Sequence, residues 1–322
     1  MIMKKLIFGI LFLFFSLFSI KLSYAQCCAA GNPISIAPEF QQSYKDNLQI
    51  SLLFRQSYSN TYYNEDEVID IDYVDHSGFN YLELGIEYGL LSMMSIRLET
   101  GYFLSKYEIY KNQDFEEKKA YGIADLNVET RFDLYQKPSK KIKLNGSLGM
   151  KFPVGVFDLE LDNVKLPVQL QPSSGSYRYH GGLLISKGIM NNKVSIFAES
   201  RVEISQRIRS KNFDYKYGTV YVLTLGAGYK LRPNLSAFLQ TRAEIRDKSQ
   251  RENNQIVEAS GGTILMLVPQ LSYQFMDGWN LNLAFLSPVY RHYNSIQLGN
   301  KYSFSLMIKR NNIYLHKDRL LK

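Results

Sequence analysis

Residues 124–134, ADLNVETRFDL, carry the pattern that decides the fold. Leu126, Val128, Thr130, Phe132 and Leu134 would share one face of an extended chain. The opposite face would hold Asp125, Asn127, Glu129, Arg131 and Asp133. Because successive side chains of a β-strand point to opposite sides, this stretch predicts a strand with one apolar and one strongly polar face. Five polar residues in a row cannot enter a packed apolar core, so they need water or partners of opposite charge.

The same alternation recurs along the chain on both sides of this stretch. Segments of similar length and pattern are predicted at residues 47–58, 79–90, 95–107, 121–134, 141–152, 177–187, 193–205, 217–231, 235–246, 262–275, 279–288 and 298–309. Short polar connections alternate with long ones, of which the longest are residues 59–78 and 153–176. We therefore predict twelve antiparallel strands.

Two architectures produce such alternation. A soluble β-sandwich hides its apolar face, whereas a membrane barrel turns that face to lipid and its polar face to a lumen. The segments are as long as strands that cross a bilayer, and the alternation of short turns with long loops is the outer-membrane arrangement. Tyr and Phe also gather near segment ends, as in interfacial girdles. The pattern favours an all-β, antiparallel, up-and-down transmembrane barrel of about twelve strands over the sandwich.

The ends of the chain indicate export. Residues 1–25 have two early lysines, an apolar run at 6–20 and a small-x-small site at Ser23-Tyr24-Ala25, and are predicted to be a signal peptide. We further predict an N-terminal periplasmic segment at 26–46, the barrel at 47–309 and a periplasmic tail at 310–322. An even strand number places both termini in the periplasm of a Gram-negative bacterium.

Composition excludes several classes of protein. The content of hydrophobic residues, 45%, is too high for intrinsic disorder. Without the three signal lysines the formal charge falls from +8 to +5, which gives no support to nucleic-acid binding. Cys27 and Cys28 are the only cysteines and are adjacent. They are weak candidates for a metal site or a vicinal disulfide, an unoccupied flexible tail is the simpler interpretation, and no cofactor is expected.

Several short motifs occur in the order found in one known family. GIADL at 122–126 is similar to the family's glycine-then-Asp-Leu strand, and FPVG at 152–155 to its Leu-Pro-Thr-Gly strand end. QPSSGS at 171–176 is similar to its Gln-Pro-Gly-x-Gly-Ser motif. Later in the chain, SGG at 260–262 precedes Pro269, and PVYR at 288–291 precedes QL at 297–298. Over residues 80–309 the chain resembles the outer-membrane transporter barrels named after the phenol meta-cleavage degradation pathway. Val154 and the serines at 173 and 174 depart from the family's Thr and Gly. The resemblance implies a barrel and transport, without naming a solute. The start of the mature chain is similar to Bacteroidetes proteins.

The polar faces suggest what the barrel does. We predict a passive channel or transporter for small solutes, apolar or aromatic ones among them, that is surrounded by outer-membrane lipid and lipopolysaccharide. The predicted lumen-lining residues are the charged members of the inward faces: Arg55, Glu87, Arg97, Glu99, Asp125, Glu129, Arg131, Lys151, Arg178, Glu199, Arg201, Glu203, Arg242 and Glu244. The apolar loop at 153–176 is predicted either to fold inward as a constriction or to extend two strands above the membrane.

Three alternatives stay open at this point. Ion pairs between the inward charges would give a plugged structural or ligand-binding barrel instead of a passage. A lipid hydrolase would need a Ser beside an oriented His, and His76-Ser77 is the only adjacent pair of that kind. The six carboxylates of residues 59–78 would suit Ca²⁺ or bridging to lipopolysaccharide, although their spacing matches no dedicated calcium loop. We expect no enzyme, and the sequence does not indicate an oligomeric state.

Overall fold

A computed structural model describes residues 45–111, 117–210 and 213–314. These residues contain twelve long strands, of which the fourth is interrupted at Ala124 and Asp125. The strands are β1 Asn47–Asn64, β2 Val74–Leu91, β3 Met94–Tyr110, β4 Glu117–Ile123 with Leu126–Lys137, β5 Ile142–Phe152, β6 Arg178–Ile189, β7 Val194–Ser205, β8 Val220–Arg232, β9 Leu235–Arg246, β10 Gly262–Met276, β11 Trp279–Tyr293 and β12 Ile296–Tyr314.

Each strand pairs antiparallel with its neighbours in the chain, and the sheet closes on itself. The closure is made by β1, where Arg55 lies opposite Tyr81 of β2 on one side and Ser305 of β12 on the other. A closed sheet has no unpaired edge, so every strand satisfies its backbone groups within the wall. The predicted twelve-stranded up-and-down barrel is confirmed.

The outside of the barrel is apolar. Every strand exposes at least one large apolar side chain, from 37% exposed at Ile308 to 65% at Leu148, and the other ten strands contribute Leu52, Leu84, Leu98, Leu134, Leu183, Ile196, Leu223, Leu239, Leu271 and Phe285. Water-soluble monomers rarely expose apolar patches of more than a few hundred Å². A belt that passes around all twelve strands is therefore the kind of exterior found on membrane barrels.

The two ends of the barrel differ. One end has tight connections, which include the single 3-10 turns Pro138–Lys140 and Met190–Asn192. At residues 277–278 the turn relies on Gly278 with φ of 72°, a conformation that glycine adopts without strain. The other end carries the long connections. Its small strands are Glu67–Ile69, Glu160–Leu161, Val164–Lys165, Ile208–Ser210, Phe213–Lys216, Ser249–Arg251 and Ile256–Val257, beside a 3-10 turn at Glu252–Asn254.

The strands run further toward the long-loop end than the alternation predicted. β1 continues to Asn64 and β2 begins at Val74, so much of the predicted loop 59–78 is a hairpin of paired strands. β11 likewise continues to Tyr293, and β12 begins at Ile296. Beyond the apolar belt both faces of a strand meet polar surroundings, so the hydrogen-bonded ladder continues without the alternation that would reveal it.

Several predicted features lie outside the described residues. They are the signal peptide at 1–25, most of the N-terminal segment at 26–46 with Cys27 and Cys28, and the tail from residue 315 onward. Within the residues that the structure describes, no helix has the length and apolar character needed to cross a membrane.

Candidate functional site: the barrel interior

Charged side chains meet inside the barrel across strands that are not neighbours. Nη2 of Arg201 on β7 lies 2.6 Å from Oε2 of Glu129 on β4, although β5 and β6 lie between these strands in the wall. Lys151 of β5 reaches Glu203 of β7 in the same way, at 2.6 Å. Only side chains that point into the lumen can make such contacts. The polar face of the alternation is therefore the inner face, as expected.

The largest charge network is centred on Glu129. Besides Arg201, its carboxylate binds Nε of Arg131 at 2.7 Å, and Nη1 of Arg131 continues to Glu87 at 3.0 Å. Arg97 joins the network through Glu87, at 3.8 Å. Glu129 and Glu87 are each only 2% exposed. Charges buried to this degree are stable only when they are paired, so the network is a rigid cross-connection of the lumen.

A histidine extends this network. Arg201 donates from Nη2 to Nδ1 of His180 at 2.8 Å, and Nε2 of His180 lies 2.7 Å from Oδ1 of Asn127. An acceptor at Nδ1 and a donor at Nε2 describe the neutral ring with its proton on Nε2. The ring lies over Gly149, where a Cβ atom would be only 2.3 Å from it. A glycine is therefore required in the wall for the ring to lie there.

A second network lies nearer the long loops. Glu203 accepts from Lys151 at 2.6 Å and from Nη1 of Arg178 at 3.0 Å. The guanidinium of Arg178 also lies 4.6 Å from the centre of the Tyr217 ring. These contacts join β5, β6, β7 and the connection after β7.

The 153–177 loop, between β5 and β6, folds against the interior. Its residues Leu166 and Leu170 are 6% and 2% exposed and pack with Ala120 of β4. Gln171 holds the loop together by hydrogen bonds to the backbone of Leu159 and Leu166. The predicted inward fold of this segment is thus found, together with a short hairpin at 160–165.

Two anchors fasten the 153–177 loop to the barrel. Asp125, at the interruption of β4, accepts from Oγ of Ser173 at 2.7 Å and from the backbone N–H of Ser174 at 3.0 Å. Lys106 of β3 donates from Nζ to the carbonyl of Gln171 at 2.8 Å. The interruption of β4 therefore places the carboxylate of Asp125 where the loop can bind it.

The interior contains two cavities of different size and lining. The short-turn cavity, about 720 Å³, lies at the end with tight turns. The inner cavity, about 90 Å³, is closed on one side by Pro172 and Ser174 of the 153–177 loop. Arg201 lines the inner cavity, and Lys309 of β12 lines the short-turn cavity and lies within electrostatic range of Glu87 and Arg97. The network around Glu129 therefore lies between the two cavities.

The fourteen predicted lumen-lining residues all lie on the less exposed face of their strands. The most buried, each at most 5% exposed, are Arg55, Glu87, Arg97, Glu129, Arg178, Arg242 and Glu244. The others are half-buried: Glu99, Asp125, Arg131, Lys151, Glu199, Arg201 and Glu203. That they line an open passage stays a prediction.

Sequence reasoning missed further inward charges, of which Lys106 and Glu108 are instructive. Both are at most 5% exposed. On β3 the inward positions are odd-numbered up to Phe103, but a bulge opposite Asn80 and Tyr81 inserts a residue and turns the even positions inward afterwards. Because a one-residue shift exchanges the two faces, alternation read from the sequence placed Lys106 outside. Glu83, by contrast, lies on the same strand face as Glu87, so the alternation could have predicted that it points inward.

The acidic residues predicted in the loop 59–78 have partners from other parts of the chain. Nζ of Lys111 binds Asp72 at 3.1 Å, and this hydrogen bond raises the pKa of Lys111. Among the described residues, the three metal-ligating side chains that come close together are Glu65, Asp66 and His292, with ligand atoms within 4.8 Å of one another. They are exposed and carry no further sign of a bound ion.

The His-Ser pair considered for ester hydrolysis is not assembled. His76 and Ser77 are consecutive residues of strand β2, so their side chains point to opposite faces. The centre of the His76 ring lies 5.6 Å from that of the tilted Tyr58 ring and 5.9 Å from that of Tyr107, which it meets edge-on, in an aromatic row that continues to Tyr302 and Phe285. Ser77 is 4% exposed on the other side. The environment of His76 is an aromatic row, with Asp75 as its polar partner.

Comparison with solved structures shows a likeness in fold to outer-membrane channels. The COG4313 outer membrane channel from Pseudomonas putida F1 aligns with a TM-score of 0.70 at 10% sequence identity, over 86% of this chain and 100% of that chain. The TodX monoaromatic hydrocarbon channel deltaS2 mutant and the NanC porin align with TM-scores of 0.47 and 0.45, at 7% and 10% identity, over 85% and 82% of this chain and 91% and 98% of theirs. No protein-family model and no curated protein matches the chain. The likeness concerns the fold, and the family resemblance in the motifs stays a prediction.

Proposed function

We propose that this chain is a passive outer-membrane channel for small solutes, whose resting state is narrow. The observation that carries the proposal is the contrast between the two faces of one closed wall. The outer face exposes large apolar side chains on all twelve strands, and the inner face holds charged residues and two cavities. An aqueous passage requires a polar inner face of this kind, and a membrane barrel requires an apolar outer one.

The position in the membrane follows from the same features. Outer-membrane barrels have short turns on the periplasmic side and long loops outside. β1 begins and β12 ends at the end with short turns, since Asn47 pairs with Tyr314. Both termini are therefore assigned to the periplasm. Outer-membrane lipid and lipopolysaccharide would contact the apolar belt, and we assign the chain to the pathway-named transporter family that its motifs resemble.

Two barriers would control passage. The first is the 153–177 loop, fastened by Asp125 and Lys106 at the long-loop end. The second is the network around Glu129, which separates the inner cavity from the short-turn cavity. A solute has to pass both, so we expect a low conductance with brief openings. Charges of both signs at the network would make the passage accept polar solutes without a strong preference for one sign.

A plugged, structural barrel is the second candidate, and the buried ion pairs favour it. If these pairs never separate, the lumen is a filled core and not a passage. A lipid hydrolase has no comparable support, because the His76-Ser77 pair faces opposite ways. The two remaining candidates predict different electrical behaviour.

The test is single-channel recording of the refolded chain from residue 26 onward in planar bilayers. The channel predicts discrete openings, and removal of the Asp125 anchor by Asp125→Ala should raise their conductance or frequency. A protein without openings, both as wild type and after Asp125→Ala, would contradict the channel and support the plugged barrel. Refolding is checked independently by the temperature-dependent mobility of the barrel on a denaturing gel.

A further inference from the structure

The lining of the short-turn cavity is unlike the rest of the lumen. The described residues around it include three lysines, Lys141, Lys143 and Lys309, and no aspartate or glutamate. The inner cavity, by contrast, is lined by four acidic and four basic residues. A lining with several lysines and no acidic side chain gives a cavity an attractive potential for anions, and low-dielectric walls concentrate that potential.

Uncharged hydrogen-bonding groups make up most of the remaining polar lining. Seven side chains are carboxamides and four are serine hydroxyls. Carboxamides offer both donors and acceptors, which is what a solute with several hydroxyl groups requires. Gln240 of β9 donates from its amino group to the side-chain oxygen of Gln270 on the neighbouring strand β10, at 2.8 Å. The oxygen of Gln240 and the amino group of Gln270 are left for other partners.

One buried group at this cavity lacks a hydrogen-bond partner among the described residues. Oδ1 of Asn311 makes no hydrogen bond within residues 45–111, 117–210 and 213–314, although Asn311 is only 8% exposed and lines the cavity. An unpaired buried acceptor costs about 1–3 kcal/mol. A hydroxyl donor in the cavity would satisfy it. The cavity volume, about 720 Å³, lies within the range of small-molecule sites.

We propose that the short-turn cavity is a binding site for small carboxylated polyols, that is, for monoanions that carry several hydroxyl groups. The lysines attract the carboxylate, and the carboxamides and serines bind the hydroxyls. Phe238, whose ring lies along the wall over Gly228, contributes an apolar surface for the carbon chain. This inference rests on the proposed channel, because the cavity would be the periplasmic vestibule of the passage.

The geometry also explains why a vestibule site is compatible with transport. Asp133 interacts electrostatically with Lys143. Its carboxylate binds Asn145, and it is not among the residues that line the cavity. The lysine charge is thus partly balanced from outside the lining. Binding is expected to be weak, so that a solute can leave toward the periplasm.

The test uses three six-carbon probes that separate charge from hydroxyl groups. Gluconate carries both, sorbitol carries hydroxyls alone, and hexanoate carries the carboxylate alone. Titration calorimetry on the detergent-solubilised mature chain should show saturable binding of gluconate, with sorbitol and hexanoate each about tenfold weaker or more, because each loses one set of hydrogen bonds. Equal binding of gluconate and either control probe would overturn the proposal, as would no binding of gluconate.

Variants locate the site. The double change Lys141→Gln with Lys143→Gln should weaken gluconate binding about tenfold, since each partly exposed ion pair contributes up to about 1 kcal/mol. Asn282→Asp, which places a negative charge in the lining, should weaken it as well. The matched control is Lys187→Gln, because Lys187 is exposed on the outside of the wall beside Ile142. Unchanged binding in both lining variants would overturn the assignment of the site.

Conductance of the same preparations separates the two proposals. Channel openings without gluconate binding would refute the vestibule site and leave the channel intact. Gluconate binding without openings would refute the channel and leave a binding barrel. Gluconate that binds and also shortens the openings of the wild type, but not of the lysine double variant, is the expected result.

Discussion

Glu129 of β4 and Arg201 of β7 lie 2.6 Å apart although two strands separate them in the wall. This contact runs along the inner face and ties two strands together that are not neighbours in the wall. The same carboxylate also binds Arg131, so one buried acid holds two half-buried guanidinium groups. The stability of the barrel and the width of its lumen therefore depend on the same side chain.

Replacing Glu129 by Gln should destabilise the barrel by about 3 kcal/mol, because two half-buried guanidinium groups lose their shared, buried counter-charge. Urea unfolding of the refolded protein in detergent measures the effect. The control is Glu117→Gln, since Glu117 is exposed and its contact with Lys119 is long, at 3.9 Å. A loss below 1 kcal/mol in Glu129→Gln would show that water or ions replace the carboxylate inside the lumen.

Removal of the carboxylate of Asp125 should free the 153–177 loop, because Ser173 and the backbone of Ser174 lose a charged acceptor that contributes about 1.5–3 kcal/mol. We expect faster trypsin cleavage after Lys165, whose ammonium now lies 4.6 Å from the Phe157 ring. Asp158→Ala, an exposed change on the same loop, is the control. Equal cleavage rates in Asp125→Ala and Asp158→Ala would mean that other contacts hold the loop.

Gly149→Ala should destabilise the barrel by about 1–3 kcal/mol through overpacking. A Cβ at this position would lie 2.3 Å from the His180 ring and 2.8 Å from the carbonyl of Val128. Gly181→Ala is the matched control on the adjacent strand, where the nearest atom is the flexible end of Leu148 at 3.1 Å. Thermal unfolding compares the two, and similar losses would indicate that His180 moves aside without cost.

A positive charge on the outer wall tests directly for lipid. Leu148→Arg, at the middle of β5, should cost about 2–4 kcal/mol of folding free energy in phospholipid vesicles, because the guanidinium enters the hydrocarbon region. Val164→Arg is the control, since Val164 is equally exposed, 69% against 65%, but lies in the loop hairpin. If both variants folded into vesicles with the same free energy as the wild type, the apolar belt would not face lipid.

Much of the architecture was readable from local pattern. The alternation in residues 124–134 assigned Glu129 and Arg131 to one face and Val128 and Phe132 to the other, and the faces are as predicted. The strand ends near Asn64 and Val74 could not be predicted from this pattern. Strands that leave the apolar belt lose their alternation of apolar and polar side chains, while their backbone pairing continues. The inward turn of Lys106 depended on a bulge, which leaves no mark in the composition.

The sequence by itself determined that the chain forms a closed barrel with an apolar exterior and a charged interior, since period-two alternation is a local property of each strand. Which charges meet was decided only by the tertiary structure. Alternation predicts that Glu129 and Arg201 point inward, but strand tilt and register set the depth of each, and these depend on the whole closed sheet. The separation into a cavity without acidic residues in its described lining and a balanced network therefore exists only once the barrel has closed.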